Sequence, residues 1–177
     1  MPTNPPSVFY DSKPSQKLGL LWAAVSADGV WAASYGIDEV EFLHHIQERG
    51  PARPRRSATQ PAPVLRQMDQ FLRGQRRDFD LPVDWSGMTP FQVAVRRAVM
   101  AVPYGQTASY GDIAAAVGRP LAARAVGGVQ ARNPISFLIP CHRIVGSDGS
   151  LHGYGGFGGL ETKRWLLKLE GAELRKP

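Results

Sequence analysis

Residues 109–132 read SYGDIAAAVGRPLAARAVGGVQAR. Ser109-Tyr110-Gly111-Asp112 has the form of a capping box, a hydroxyl at the N-cap answered by an acid three residues on. A helix starting there turns Ile113, Ala114 and Val117 inward, and Gly118 closes it. Only Arg119-Pro120-Leu121 separates it from another helix, expected over roughly Ala122–Arg132. Two short helices with a tight turn between them outline a helix-turn-helix, and an ordinary helical hairpin fits the same spacing. The second helix is unusual in content. Gly127 and Gly128 each cost about 1 kcal/mol in a helix interior relative to alanine. With Ala122, Ala123, Gly127 and Gly128 it has little bulk on one side, so another surface can come very near. Arg124 projects from the same turn. A small-residue helix carrying one long cation suits a nucleic-acid groove, with the arginine free to enter a base stack.

Upstream, Thr89-Pro90-Phe91-Gln92 reads as an N-cap, a proline at the first helical position and a capping-box glutamine. That helix runs through Phe91, Val95, Ala98, Val99 and Val102 to Pro103-Tyr104-Gly105. The first half of the chain has another texture. LGLLWAAVSADGVWAASYG (18–36) is two apolar strands joined at Ala27-Asp28-Gly29, a hairpin signal. Residues 39–48 suit a short helix with Val40, Leu43 and Ile46 on one face. GPARPRRSATQPAP (50–63) has four prolines and no periodicity and is expected to be a loop. Residues 64–73 resume a helical pattern with Val64, Met68, Phe71 and Leu72, and FDLPVDW (79–85) is expected to be extended. His44 and His45 lack the cysteine or acidic neighbours of a metal site and read as surface or packing residues.

The totals narrow the class. With 177 residues, 43% of them hydrophobic, the chain can bury a real core. A single cysteine excludes an internal disulfide and a multi-cysteine zinc site, and suits a reducing compartment. The start, MPTNPPSVFYDSK, has no apolar run of the secretory kind. A cytoplasmic protein with access to DNA is expected. Net charge is +6; residues 1–85 hold 10 Lys/Arg against 10 Asp/Glu, whereas residues 86–177 hold 11 against 5. The surplus lies wholly in the second half, which fits a polyanion partner or an ordinary solvated surface.

The lone cysteine sits in NPISFLIPCHRIVG (133–146). A solitary cysteine often serves as a small buried hydrophobe. It becomes a nucleophile when cations, a base or oriented N–H groups lower its pKa, and His142 and Arg143 follow Cys141 directly. Neighbours on an extended segment point to opposite sides, so contact between Cys141 and His142 needs a bridging water or a turn made by Pro140. GYGGFGG (153–159) satisfies G-x-G-x-x-G formally. No strand–helix–strand unit with an acidic residue is expected after it, so a pocket lining fits better than a dinucleotide fingerprint. A last helix, roughly 160–170, has Leu160, Trp165, Leu166 and Leu169 as expected core, with Glu170 at its end able to reach back to a histidine.

Tyr110, AARAVGG (122–128), NPISFLIPCHRIVG (133–146), GYGG (153–156) and KRWLLKLEG (163–171) together resemble the O6-alkylguanine-DNA alkyltransferase family, also called methylated-DNA–protein-cysteine methyltransferases. The match covers about 86–171, roughly half the chain, and the first half resembles the family's N-terminal domain mainly at LGLLWAAVSADGVW. The resemblance implies an α+β protein. A small RNase H-like α/β domain (1–85, with loop 50–63) would precede a mainly helical winged helix-turn-helix domain (86–177). It implies DNA repair by single-turnover transfer of an alkyl group from O6-alkylguanine in double-stranded DNA to Cys141, after base flipping.

In that scheme His142 takes the thiol proton through a water while Glu170 orients it. Asn133 braces the segment before the cysteine. Tyr110 supplies a proton near guanine N3 and crowds the phosphate. Arg124 fills the vacated stack, and Ala122, Ala123 and Gly127 lie in the minor groove. Tyr154, Gly155 and Gly156 close over the base, backbone groups near Cys141 and Ile144 read its edge, and Arg143 is counted with them among the residues that bind substrate and DNA. No cofactor and no metal are expected, since the N-terminal half has no cysteine for the structural zinc of some members. A monomer, able to bind DNA cooperatively, is expected. Gly155 replaces a serine of some relatives, leaving only its N–H for guanine O6. A lesion-binding module without transfer, and a cysteine hydrolase, are the competing classes. The first is at odds with Cys141, His142 and Glu170 occurring together; the second leaves the basic small-residue helix unexplained.

Overall fold

The computed structural model describes residues 4–172 and divides into two compact units between Gly87 and Met88. The first unit is built on a four-stranded sheet. Strands β1 (Ser7–Ser15), β2 (Gly19–Ser26) and β3 (Gly29–Tyr35) pair antiparallel in sequence order, and β4 (Arg53–Arg56) adds in parallel to the outer side of β1. The apolar run Leu21–Ala24 is buried residue after residue, as a strand covered on both faces must be. Trp22 and Ala24 join Trp31, Phe42 and Ile46 beneath α1 (Glu39–Arg49), and α2 (Ala62–Leu72) packs on β1 and β2. The Asp28-Gly29 hairpin forms as expected, with Ser26 paired to Gly29.

Two expectations for this half need correction. Part of the segment 50–63 is not loop: Arg53–Arg56 is an edge strand and α2 begins at Ala62. An edge strand bonds on one side only, so it tolerates Pro54, and its arginines keep the open edge from pairing with other chains. Helix α1 turns Phe42 and Ile46 inward; Val40, in its first turn, is 75% exposed. Within 79–85 the chain runs beside β3 as an extended segment would: Val83 bridges to Val30, with Val30 N donating to Pro82 O and Asp84 N to Val30 O. Strand β1 has no clear signal in SVFYDSKPS, whose polar residues face outward beside Val8 and Tyr10.

The second unit contains α3 (Pro90–Met100), α4 (Tyr110–Ala116), α5 (Ala123–Ala131) and α6 (Gly159–Leu169). Both capping boxes form: Thr89 with Gln92 opens α3, and Ser109 with Asp112 opens α4. Helices α3, α4 and α5 pack through Val95, Val99, Ile113, Ala114, Val126 and Val129. Two short parallel strands, β5 (Ala108–Ser109) and β6 (Ile144–Val145), tie the start of α4 to the segment that carries the cysteine. That pairing sets the site, because Tyr110 follows β5 directly and Cys141–Arg143 precede β6. The inward stripe of α6 is Lys163, Leu166 and Leu167, continued by Glu170. Leu160, counted as core from its hydrophobicity, lies in the first turn and is 39% exposed, while Trp165 and Leu169 are half-buried. Charged residues displaced leucines from the stripe because their partners lie inside the unit. No described helix is long and apolar enough to cross a membrane.

Candidate active site

Cys141 opens a single 3₁₀ turn, Cys141–Arg143, with Pro140 at its N-cap. The turn is what an extended segment could not supply, since it carries Cys141 and His142 around the same bend. Asn133 holds the approach: its amide nitrogen donates to Ile139 O at 2.8 Å and to Cys141 Sγ at 3.3 Å, and its Oδ1 accepts from Ile135 N. Between these anchors Phe137 has φ +68°, a left-handed conformation costing a non-glycine residue about 1–2 kcal/mol. Its fully buried ring offsets that cost.

Behind the cysteine lies a core of charge. Glu170 accepts from His142 Nε2 at 2.7 Å, from Arg143 Nε at 2.9 Å and Nη2 at 3.1 Å, and from Gly105 N at 3.1 Å. Arg143 Nη1 donates onward to Val102 O, and the Tyr104 hydroxyl to Leu169 O. The Pro103-Tyr104-Gly105 turn is thus fitted to the end of α6. Gly105 has φ +77°, and a Cβ there would stand 2.9 Å from Glu170 O, so only glycine fits.

Burial pushes the Glu170 carboxyl up, but hydrogen bonds from His142 and Arg143 outweigh it and hold it below the usual carboxylate range. Burial likewise pushes His142 below its ordinary value, despite the attraction of Glu170. The consistent state is ionised Glu170, cationic Arg143 and neutral His142. Nε2–H then faces Glu170, and Nδ1 is the basic nitrogen.

Burial raises the Cys141 thiol above its ordinary value. Against it act the Asn133 N–H, the charge of Lys163, the cysteine's own backbone and the Tyr154 hydroxyl. At rest the sulfur is a thiol, and a base is needed to make it a nucleophile. The cations expected to act from the adjacent positions do not fill that part: His142 is neutral and Arg143 is spent on Glu170. The cation acting on the sulfur is Lys163.

Beside this core runs a cleft of about 640 Å³, walled by Tyr110 of α4, by Ala123, Arg124, Gly127 and Ala131 of α5, and by His152–Gly155. Tyr110 is half-buried, its pKa raised by burial and by the charge of Cys141, and its ring stands 6.5 Å from that of His152. Arg124 is exposed. Gly155 comes so close to α5 that a Cβ would be 2.9 Å from Ala131 O, so a serine here would push the two walls apart. The fold therefore brings Cys141, Asn133, His142, Arg143 and Glu170 together, and brings Tyr110, Ala123, Arg124, Gly127, Tyr154 and Gly155 to one cleft. Ala122 and Gly156 do not line that cleft; both are half-buried, and Ala122 sits beside the exposed turn of Arg119, Pro120 and Leu121. Ile144 is fully buried, its N–H donating to Cys141 O and its carbonyl accepting from Lys163.

Arg143, expected among the residues that bind substrate and DNA, is instead buried, with Nε and Nη2 on Glu170 and Nη1 on Val102 O; sequence reasoning missed that fork, Lys163 and Gly105. The signal for Lys163 was a charge on the same helical stripe as Leu166 and Leu167. Among the described residues no group of three or more His, Cys, Asp or Glu side chains converges as a metal site would need.

The model of the 6-O-methylguanine DNA methyltransferase, DNA binding domain, matches residues 90–172. The methylated-DNA–protein-cysteine methyltransferase of Salmonella typhimurium is 42% identical over 134 residues, 76% of this chain and 77% of that protein. Among solved structures, Mycobacterium tuberculosis OGT in complex with DNA superposes with a TM-score of 0.76 at 35% identity, covering 96% of this chain and 95% of that one. The O6-methylguanine-DNA methyltransferase of Pyrococcus kodakaraensis gives a TM-score of 0.63 at 25% identity, covering 93% and 99%. The resemblance read from the cysteine segment outward is thus a kinship that spans both units, and the chain belongs to the methylated-DNA–protein-cysteine methyltransferase family.

Proposed function

We propose that the protein repairs DNA by moving an alkyl group, methyl in the simplest case, from O6-alkylguanine in double-stranded DNA to Cys141, once and irreversibly. The observation that carries this is the buried Glu170–His142 pair standing behind a thiol that burial keeps protonated at rest. His142 Nδ1 takes the thiol proton through a water, and Glu170 steadies the imidazolium that forms. The S–C bond forms as the C–O6 bond breaks, and the electron pair leaves on guanine, where a proton from Tyr110 near N3 neutralises it. The product is a thioether, which thiol exchange cannot reverse, and the chain has no second cysteine to take the group on. Turnover is therefore stoichiometric.

The base must leave the stack to reach Cys141. In this reading α4 and α5 form the helix-turn-helix of a winged domain. Helix α5 lies in the minor groove through Ala122, Ala123 and Gly127, and Arg124 fills the vacated place. The cleft beside Tyr110 receives the base, and Tyr154, Gly155 and Gly156 close over it. The carbonyls of Cys141 and Ile144 each keep a second lone pair for its edge. The first unit, three antiparallel strands with a parallel fourth and helices on both faces, is read as RNase H-like. The protein acts as a monomer. Replacing the nucleophile tests the scheme: Cys141→Ala is expected to bind duplex DNA containing O6-methylguanine and to leave the methyl group in place. Equal loss of binding and transfer would contradict the role given to the sulfur.

A further inference from the structure

We propose that Lys163 is a positioning residue of the reaction, its buried ammonium serving as the counter-charge that holds the Cys141 thiolate. This rests on the alkyl-transfer reading. Lys163 is fully buried in the middle turn of α6 and forms no ion pair with a carboxylate among the described residues. Its Nζ donates to Ile144 O at 2.6 Å and to His152 O at 3.2 Å. Those two carbonyls lie on the segment that leaves the cysteine turn and comes back as a cleft wall. The lysine is thus seated by main chain rather than by an acid.

An ammonium without an acid in such a place is costly. Burial lowers its pKa from 10.5 to about 8, and a negative charge on Cys141, once the thiol ionises, draws it back up. The support is mutual, since Lys163 draws the thiol pKa down. The other groups of this core do not compete. His142 is neutral, Arg143 and Glu170 are bonded to each other, Tyr110 is an uncharged phenol, and His152 offers its carbonyl.

The thiol proton departs toward His142 while the ammonium keeps its own. The sulfur then carries a negative charge opposed by the positive charge of Lys163, in a core where burial disfavours both. When the S–C bond forms, that negative charge passes to guanine. The seat also explains how a half-buried thiol, its pKa raised by desolvation, can still react: the counter-charge is already in place before the proton leaves, so no side chain has to reorganise.

The test uses the full chain and iodoacetamide, a small electrophile that reports thiolate at the only cysteine without DNA. Lys163→Gln keeps an N–H donor for the two carbonyls and removes the charge. Its rate–pH profile is expected to move about one pH unit or more toward alkaline pH, with reaction at pH 7 about tenfold slower. A profile with the wild-type midpoint and a uniform change of rate would mean a merely structural clamp and would overturn the proposal. Should the variant not fold, the wild-type protein decides. An ammonium that gives up its proton near pH 8 makes the thiol titrate over a broader range than a single ionisation, and a simple one-proton curve would overturn the assignment. If the profile shifts as stated but wild-type protein takes no methyl group from damaged DNA, the transfer reading falls and the counter-charge stands.

Discussion

Glu170→Gln separates what the buried charges do for stability from what they do for chemistry. Glu170 is 6% exposed and receives two nitrogens of Arg143, which is itself 5% exposed. Glutamine keeps the shape and one acceptor oxygen but removes the charge and turns an NH2 toward the donors. Arg143 is left as a buried cation with no counter-ion. Removing one partner of such a pair costs about 3–5 kcal/mol, against a total domain stability of about 5–15 kcal/mol. The measurement is urea denaturation of the full chain, with transfer followed in parallel at a temperature where the variant is folded.

Adding Arg143→Met removes the orphan cation and is expected to recover a large part of the lost stability, because most of the cost of breaking a buried pair lies in the uncompensated charge left behind. Transfer is not expected to recover, since His142 still lacks the carboxylate that raises its basicity. A loss below about 1 kcal/mol in the single variant, or a double variant that transfers at the wild-type rate, would rule out these roles for the pair.

Two further outcomes follow from the same core. Gly105→Ala is expected to cost about 1–3 kcal/mol and to slow transfer, because alanine must adopt φ +77° and meet Glu170 O at 2.9 Å; an unchanged denaturation midpoint would remove the turn from the account. Acid should act through His142 and Glu170, whose folded pKa values both lie below the ordinary 6.5 and 4.5. Groups depressed in this way lend stability that is complete above their unfolded values and is lost as pH falls through the folded ones. Stability is therefore expected to decline below about pH 6.5 and faster below 4.5, with the acid limb of the transfer rate under 6.5. A transition indifferent to pH from 7 to 4 would contradict the assigned charge states.

What could be read from the chain follows from how local each cause is. The capping boxes at Thr89 and Ser109 and the Asp28-Gly29 hairpin are decided within four residues, and they form where expected. Glu170 could be placed near a histidine because α6 ends there, and the cysteine turn was visible in Pro140. The arginine-rich strand β4 was hidden because its only ladder partner, β1, lies some 45 residues away, and its own side chains look solvated. Lys163 and Arg143 were hidden for a related reason. A buried charge is made tolerable by partners that only the folded chain assembles, here two carbonyls for one and a carboxylate for the other. Gly105 and Gly155 likewise state their need only once α6 and α5 are packed against them.

The central claim is that one sulfur captures the alkyl carbon and keeps it. Mass spectrometry of the protein, digested after mixing with duplex DNA containing O6-methylguanine, tests this directly. The account predicts a gain of one methyl group in place of hydrogen, on the peptide holding Cys141 alone, in a one-to-one ratio with guanine restored. An unmodified Cys141 peptide, or methylation that exceeds one equivalent per chain, would contradict it.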